Sequence, residues 1–185
     1  MDKKVAIIGS GNAFFKDEGM GLYAGKYIKE NYSFSPDVVD VVDGGTLGFK
    51  LMPLLQEYDE VLIINTSSDD DKAVGEITIK TTEEFLDGSL IKKTANEVEI
   101  AEMLQICQLS GNMANTTVIS IVPEDIIAVE VALSESMKEK WESYIETILQ
   151  ELAKCGVSWE FEQKIDIEEI LDIFANPSIE HVRGF

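Results

Sequence analysis

The amino-acid sequence predicts an α/β fold, in which helices cover both faces of a mostly parallel sheet to form a three-layer α/β/α sandwich. Short continuous apolar runs alternate with amphipathic stretches of helical period. The apolar runs end abruptly in glycine, asparagine or proline, as buried strands commonly do. The length of 185 residues fits one compact domain with a substantial core.

The first half of the chain alternates strands and helices. Apolar or alternating runs predict strands over residues 4–8, 37–42 and 61–64. Apolar side chains at helical spacing predict helices over 19–31 and 48–58. The pattern is that of successive βα units, which build a parallel sheet.

The second half continues the same alternation. The sequence predicts strands over residues 75–80 and 118–122 and helices over 98–109 and 135–153. After Gly156 the pattern changes to an edge strand over 159–162 and an acidic amphipathic segment over 165–174. We therefore divide the chain into a main domain, residues 1–156, and an appended tail, residues 157–185.

Charge narrows the range of partners. Asp and Glu outnumber Lys and Arg by 35 to 15, which gives a formal net charge of −20. Such a surface repels nucleic acid and anionic membranes, so neither is expected as a partner.

The first apolar run is too short for a signal peptide or a membrane span, which makes the cytoplasm the expected location. The two cysteines, Cys107 and Cys155, form no metal-binding or disulfide pattern.

Polar loops follow three of the predicted strands, at residues 9–18, 43–46 and 65–71. The carboxyl ends of parallel strands meet at one edge of a sheet, where ligands of such folds bind. We therefore expect these loops to converge on one site.

The first of these loops contains two small motifs. Gly9 and Gly11 follow the first strand, as in a dinucleotide-binding turn, but Phe14 stands where that motif needs its third glycine. Asp17 and Glu18 then precede a helix, and in a purely structural interpretation Asp17 would cap the helix while Glu18 complements its dipole.

The complete loop resembles the signature of the [NiFe]-hydrogenase maturation endopeptidases. Every fixed position of Gly-x-Gly-Asn-x-x-x-x-Asp-Glu-Gly-x-Gly is filled between Gly9 and Gly21. Two further motifs are similar, Asp43-Gly44-Gly45-Thr46 and the late Pro123-Glu124. The resemblance extends to about Gly156 and implies a phosphorylase/hydrolase-like α/β/α fold.

The resemblance implies an activity and a metal. Members of this family remove a C-terminal peptide from the precursor large subunit of a [NiFe]-hydrogenase after nickel insertion, so nickel would be supplied by the substrate. The family's metal-sensing residues are Glu, Asp and His. Glu18 matches the first and is the expected catalytic residue, whereas the other two positions fall on Asn65 and Asn96.

The two amides leave the metal chemistry open, because amide oxygens are weak donors for nickel. Acidic side chains near these positions in sequence are candidate replacements: Asp69, Asp70, Asp71, Glu97 and Glu99. The single histidine, His181, lies in the tail and is expected at the surface. No Ser-His or Cys-His arrangement is expected.

Three functions follow from these observations. The first is a maturation protease in which the loop Asp43, Gly44, Gly45 and Thr46 contacts the substrate. The second is a binding or checkpoint module for the large subunit that has lost cleavage because of Asn65 and Asn96. The third is an unrelated nucleotide or small-molecule enzyme that uses the Gly9–Gly11 turn.

Overall fold

A computed structural model describes residues 2–45, 48–87 and 94–177 and has a three-layer α/β/α architecture. The central sheet has five strands in the order β3-β1-β4-β6-β5. The first four are parallel and β5 is antiparallel at the edge, which confirms the predicted mostly parallel sheet. The strands of this sheet are β1 (Val5–Ser10), β3 (Val39–Gly45), β4 (Glu60–Thr66), β5 (Ile77–Thr81) and β6 (Asn115–Ile121).

Helices cover both faces of the sheet because successive strand residues point to opposite sides. On one face, Ile7 and Ile64 pack in a cluster with α1, α5 and α6; on the other, Ile8 and Ile63 pack with α2, α3 and α4. The helices are α1 (Met20–Asn31), α2 (Met52–Glu57), α3 (Thr82–Asp87), α4 (Ala95–Ser110), α5 (Glu135–Lys154) and α6 (Ile167–Ala175). The buried strands are continuous apolar runs for this reason.

The predicted elements are present, with ends that move by a few residues. The predicted helix over 48–58 begins as a 3-10 turn, Phe49–Leu51, and becomes α-helical only at Met52, with proline at its first turn. Among the strands and α-helices of the described residues, two short ones were not predicted, β2 (Tyr32–Ser35) and α3. Each has only four to six residues, too few for a periodic signal.

The segment after Gly156 is joined to the main core. It forms β7 (Ser158–Phe161), which pairs antiparallel with β2, and then α6. The buried Asn31 side chain at the end of α1 accepts from the backbone of Lys164 at 2.7 Å and Ile165 at 3.1 Å, and donates to the Ile165 carbonyl at 3.0 Å. Residues 157–177 thus share a hydrophobic core with α1 and α5. His181 lies outside the described residues.

Within the described ranges, no helix is long and apolar enough to cross a membrane. The longest, α5, instead carries an apolar stripe toward the sheet and charged residues on its other side, as its sequence predicts.

Candidate functional site

The predicted convergence of loops at one edge of the sheet is confirmed. Gly9 of β1 pairs with Asp43 of β3 on one side and with Ile64 of β4 on the other. Asn65 pairs with Ser120 of β6. The polar residues that follow each strand therefore start at nearly the same level across the sheet.

Glycines of the first loop let three backbone segments meet at this edge. A Cβ atom on Gly11 would lie 2.1 Å from the Glu18 carbonyl oxygen, and one on Gly21 would lie 2.3 Å from the Ile64 carbonyl oxygen. A Cβ on Gly9 would lie 2.7 Å from the Gly21 carbonyl oxygen. The space that these glycines create is occupied by the chain's own backbone, which argues against a pyrophosphate in the Gly9–Gly11 turn.

Asp17 does not cap α1, contrary to the structural interpretation of the sequence. Helix α1 has Gly19 at its N-cap and no side-chain cap. The fully buried Asp17 carboxylate instead accepts from the backbone of Ser134 at 2.7 Å, Asp125 at 2.9 Å and Glu124 at 3.1 Å, and from the Ser134 hydroxyl at 2.8 Å. Asp17 therefore fixes the segment after β6 against the first loop.

The late Pro123-Glu124 motif now has a structural explanation. Its Glu124 backbone N–H is one of the Asp17 partners. Hydrogen bonds from Ser136 and Ser134 lower the pKa of the Glu124 carboxyl. The two motifs are distant in sequence, yet they form one hydrogen-bonded unit.

Glu18 is the next residue and its carboxylate has a different environment. It lies in the 3-10 helix Lys16–Gly19 with only 9% of its surface exposed. Within the described part of the chain, no group donates a hydrogen bond to its carboxylate. Burial, and then the negative charge of Glu97, raises the pKa of the Glu18 carboxyl.

Glu97 is the second carboxylate of this site. It lies in the first turn of α4, is 3% exposed, and accepts from the Ser68 backbone at 3.1 Å and from the Ser68 and Thr94 hydroxyls. Thr94 is also the N-cap of α4 and accepts from the Glu97 backbone at 3.2 Å. The loop after β4 and the start of α4 therefore hold Glu97 beside Glu18.

Asn65 lies at the end of β4 and is completely buried. Its Oδ1 atom accepts from the Ser120 hydroxyl at 2.5 Å, and its backbone carbonyl accepts from the Tyr144 hydroxyl at 3.0 Å. Its Nδ2 atom is buried with no hydrogen-bond partner. An unpaired buried donor costs about 1–3 kcal/mol, so the Asn65 Nδ2 group lowers the stability of the folded chain.

Asn96, at the start of α4, donates from Nδ2 to the Ser10 hydroxyl at 2.7 Å and is 4% exposed. The Ser10 hydroxyl in turn donates to the Gly45 carbonyl at 3.3 Å. Asn96 therefore connects α4 through β1 to the Asp43-Gly44-Gly45 loop.

The remaining predicted residues are distributed around this edge. Asp43 is exposed and accepts from the Gly45 backbone at 2.9 Å, while a Cβ on buried Gly44 would lie 2.8 Å from the Gly9 carbonyl oxygen. Thr46 lies outside the described residues. The predicted role of this loop in substrate contact stays a prediction.

Of the five candidate replacement acids, Glu97 is the one that acts on Glu18 electrostatically. The Asp69 carboxylate accepts from the Asp71 backbone at 3.1 Å, which closes a turn across Asp70 within this loop. Glu99 accepts from the Gly48 backbone at 3.0 Å, which connects α4 to the segment before α2.

The sequence predictions missed three partners at this site, Ser10, Ser68 and Ser120. Ser10 is the last residue of β1 and Ser120 the last but one of β6, and a position near the carboxyl end of a strand was their only signal. Ser68 belongs to a polar loop whose members look alike in sequence.

The candidate metal-ligand atoms at this edge of the sheet belong to the carboxylates of Glu18 and Glu97 and the amides of Asn65 and Asn96. In the part of the chain that the structure describes, no three His, Cys, Asp or Glu side chains are grouped so that they could hold a metal ion. Nickel favours imidazole nitrogen, and one amide here is already engaged through its oxygen. The described residues therefore do not fit a resident nickel ion.

Comparison with known proteins decides the family. A family model described as hydrogenase maturation protease matches residues 22–151. This chain belongs to the hydrogenase maturation protease family. The resemblance inferred from the glycine-rich loop and its two companion motifs is thereby confirmed.

Individual relatives agree with this family. Protein HydD of Wolinella succinogenes is 29% identical over 139 residues, covering 74% of this chain and 87% of HydD. The hydrogenase 2 maturation protease of Escherichia coli is 24% identical over 155 residues, covering 83% of this chain and 93% of the relative.

Solved structures share the fold. The hydrogenase maturating endopeptidase HybD from E. coli has a TM-score of 0.80 at 23% identity, covering 88% of this chain and 99% of HybD. The [NiFe] hydrogenase maturation protease HybD from Thermococcus kodakarensis has a TM-score of 0.66 at 25% identity, covering 81% and 99%. The predicted α/β/α fold is confirmed by these likenesses.

Proposed function

We propose that this hydrogenase maturation protease homologue removes the C-terminal extension of a nickel-loaded [NiFe]-hydrogenase large subunit. The observation that carries the proposal is the Glu18 carboxylate, which lies at the junction of the strand ends with no hydrogen-bond donor among the described residues. A poorly solvated carboxylate without an internal partner is available to a ligand. Family membership supplies the class of reaction.

The residues around Glu18 are suited to receive a positively charged centre. Glu18 and Glu97 place two carboxylates together in a poorly solvated place, where their mutual repulsion is relieved when a cation arrives. Nickel carried by the substrate would polarise the scissile region as a Lewis acid when bound. Glu18 would contact the nickel ion. Glu97, which is held in place by hydrogen bonds from Ser68 and Thr94, would supply a second negative charge beside it.

The Asp43-Gly44-Gly45 loop would contact the peptide to be removed. β3 is an edge strand of the central sheet and Asp43 is exposed, so a peptide could lie along this edge beside the loop. By the same resemblance, we expect the reaction to take place in the cytoplasm.

A second candidate function is a checkpoint module that binds the large subunit and does not cleave it. Asn65 and Asn96 favour it, because each uses part of its amide to bond a serine of the chain itself. Such amides would hold the site together without supplying a strong metal ligand.

One experiment separates the two functions. The purified chain is incubated with nickel-loaded and with nickel-free precursor large subunit, and products are followed by size-exclusion chromatography and intact mass. The protease proposal expects a shortened product from the loaded precursor only. A stable complex with no shortened product would overturn it, and conversion of that complex to cleavage by Asn65→Asp with Asn96→His would establish the checkpoint function.

A further inference from the structure

A second cleft, far from Glu18, is lined by four aromatic side chains. It has a volume of 580 Å³ and lies between α1, α5 and the β2–β7 ribbon. The aromatic residues are Tyr27, Tyr32, Trp141 and Trp159. Glu18 precedes the first residue of α1, whereas Tyr27 and Tyr32 lie at the other end of that helix, so this aromatic cleft is separate from the strand-end site.

The aromatic rings form a continuous wall. The Tyr27 and Trp141 ring centroids are 5.4 Å apart with an interplanar angle of 84°, and those of Tyr27 and Tyr32 are 6.3 Å apart at 60°. Tyr27, Tyr32 and Trp159 are partly exposed and can contact a ligand, whereas Trp141 is 8% exposed and forms the floor of the cleft. Trp159 extends the wall from β7, where it pairs in register with Phe34.

One edge of the aromatic cleft is acidic. Glu142 and Glu146 project from α5 one helical turn apart, and both are exposed. Glu142 lines the cleft together with Tyr27, and its negative charge adds to burial in raising the pKa of the Tyr27 hydroxyl. Within the described residues, neither glutamate forms an ion pair; Glu146 accepts only a long hydrogen bond of 3.3 Å from Gln150.

Aromatic faces beside carboxylates are the chemistry that recognises a cationic side chain. Lys and Arg bind the face of a tryptophan or tyrosine through its electron-rich π system, and the carboxylate neutralises the charge. The whole chain carries a net charge of −20, so a basic partner segment would also be attracted from a distance. A second copy of this chain would bring another strongly acidic surface and is disfavoured.

We propose that the aromatic cleft binds an extended segment of a protein partner that carries arginine or lysine at alternate positions. Glu142 and Glu146 are separated by about 6 Å along the α5 axis, from a rise of about 1.5 Å per residue. In an extended peptide, residues two apart face the same side and are separated by about 7 Å. Two cationic side chains at positions i and i+2 therefore match the two carboxylates, and this docking does not depend on cleavage at Glu18.

The test uses the chain's own fluorescence, because both of its tryptophans line the aromatic cleft. The probe is acetyl-Gly-Arg-Gly-Arg-Gly-amide, and its matched control has citrulline, the neutral isostere of arginine, at both positions. We expect a saturable change in tryptophan emission with the arginine peptide that weakens with added salt. We expect binding at least about tenfold weaker for the citrulline peptide, the scale of one charge-assisted contact.

A matched pair of protein variants separates the aromatic cleft from net charge. Glu142→Gln with Glu146→Gln should weaken arginine-peptide binding at least about tenfold, the same scale. Glu135→Gln with Glu139→Gln removes the same charge from the same helix outside the aromatic cleft and should leave binding within about twofold of the unmodified chain. Absence of saturable emission change, equal binding of the citrulline peptide, or equal loss in both variants would overturn the proposal.

Discussion

Two consecutive carboxylates, Asp17 and Glu18, belong to regions of the molecule with opposite organisation. Asp17 points into the segment after β6 and accepts four hydrogen bonds. Glu18 points to the strand-end site, where its carboxylate accepts none from the described residues and the nearby Glu97 repels its charge. Both are at least nine-tenths buried.

This difference indicates that Asp17 has a structural role and that Glu18 is available to bind a ligand. A buried charge that is fully hydrogen-bonded stabilises the loops that it joins, whereas a buried charge without donors lowers stability. The second arrangement persists in folded proteins chiefly where a ligand completes it. The following predictions test this division of roles, beginning with the largest effect on stability.

Asp17→Asn should destabilise the protein by about 3 kcal/mol or more, because its amide group would face donors that are already buried. Urea unfolding followed by circular dichroism measures the loss. Glu139→Gln, at an exposed position of α5, serves as control and should change stability by less than about 0.5 kcal/mol. A loss below about 1 kcal/mol for Asp17→Asn would show that Asp17 does not fix the segment after β6.

Glu97→Gln should cost about 1–2 kcal/mol, since charge-assisted hydrogen bonds from Ser68 and Thr94 become neutral ones. It should also lower the pKa of Glu18 relative to the unmodified chain, because the nearby charge is removed. That pKa should stay above its ordinary value, since burial is the larger cause. Carbon-13 NMR titration of the Glu18 carboxyl checks both expectations for its pKa. An unchanged Glu18 pKa would show that the charge of Glu97 does not act on Glu18.

Glu18→Gln should stabilise the protein by about 1 kcal/mol at pH 7, because an unpartnered, poorly solvated charge is removed. The sign depends on pH. A folded-state pKa above the unfolded one means that the folded chain binds the proton more tightly, so the unmodified chain loses stability as pH rises through that window. The advantage of the variant should therefore be small at pH 4, below the ordinary pKa of glutamate, and should grow as the pH rises to 7. Unfolding measured across this range would show the opposite trend if the Glu18 carboxylate accepted hydrogen bonds that stabilise its charge.

The sequence was sufficient to predict the fold and the convergence of loops, because buried strands and amphipathic helices have clear periods. It placed Asn65 at a strand end and Asn96 near the start of a helix, and both positions agree with the structure. The roles of neighbouring acids could not be predicted in this way. Asp17 and Glu18 differ only in what lies opposite them, and those partners are more than 75 residues away in sequence.

The sequence also could not predict which atoms of the buried amides form hydrogen bonds and with which partners. The occupied oxygen and unpaired nitrogen of Asn65 depend on Ser120, which reaches it only when β4 and β6 are paired. The packing of residues 157–177 depends on Asn31, a single buried amide whose three bonds to residues 164 and 165 carry no local signal. Long-range polar contacts such as these decide which residues are free to bind a ligand.

The most direct test of the division between Asp17 and Glu18 is processing of a nickel-loaded precursor large subunit by Glu18→Gln, read by intact mass. The variant should be folded and at least as stable as the unmodified chain, yet yield the shortened product at least about 100-fold more slowly, the scale for one positioned group at a reacting centre. Processing at the unmodified rate by the folded variant would contradict the assignment of Glu18 as the working carboxylate.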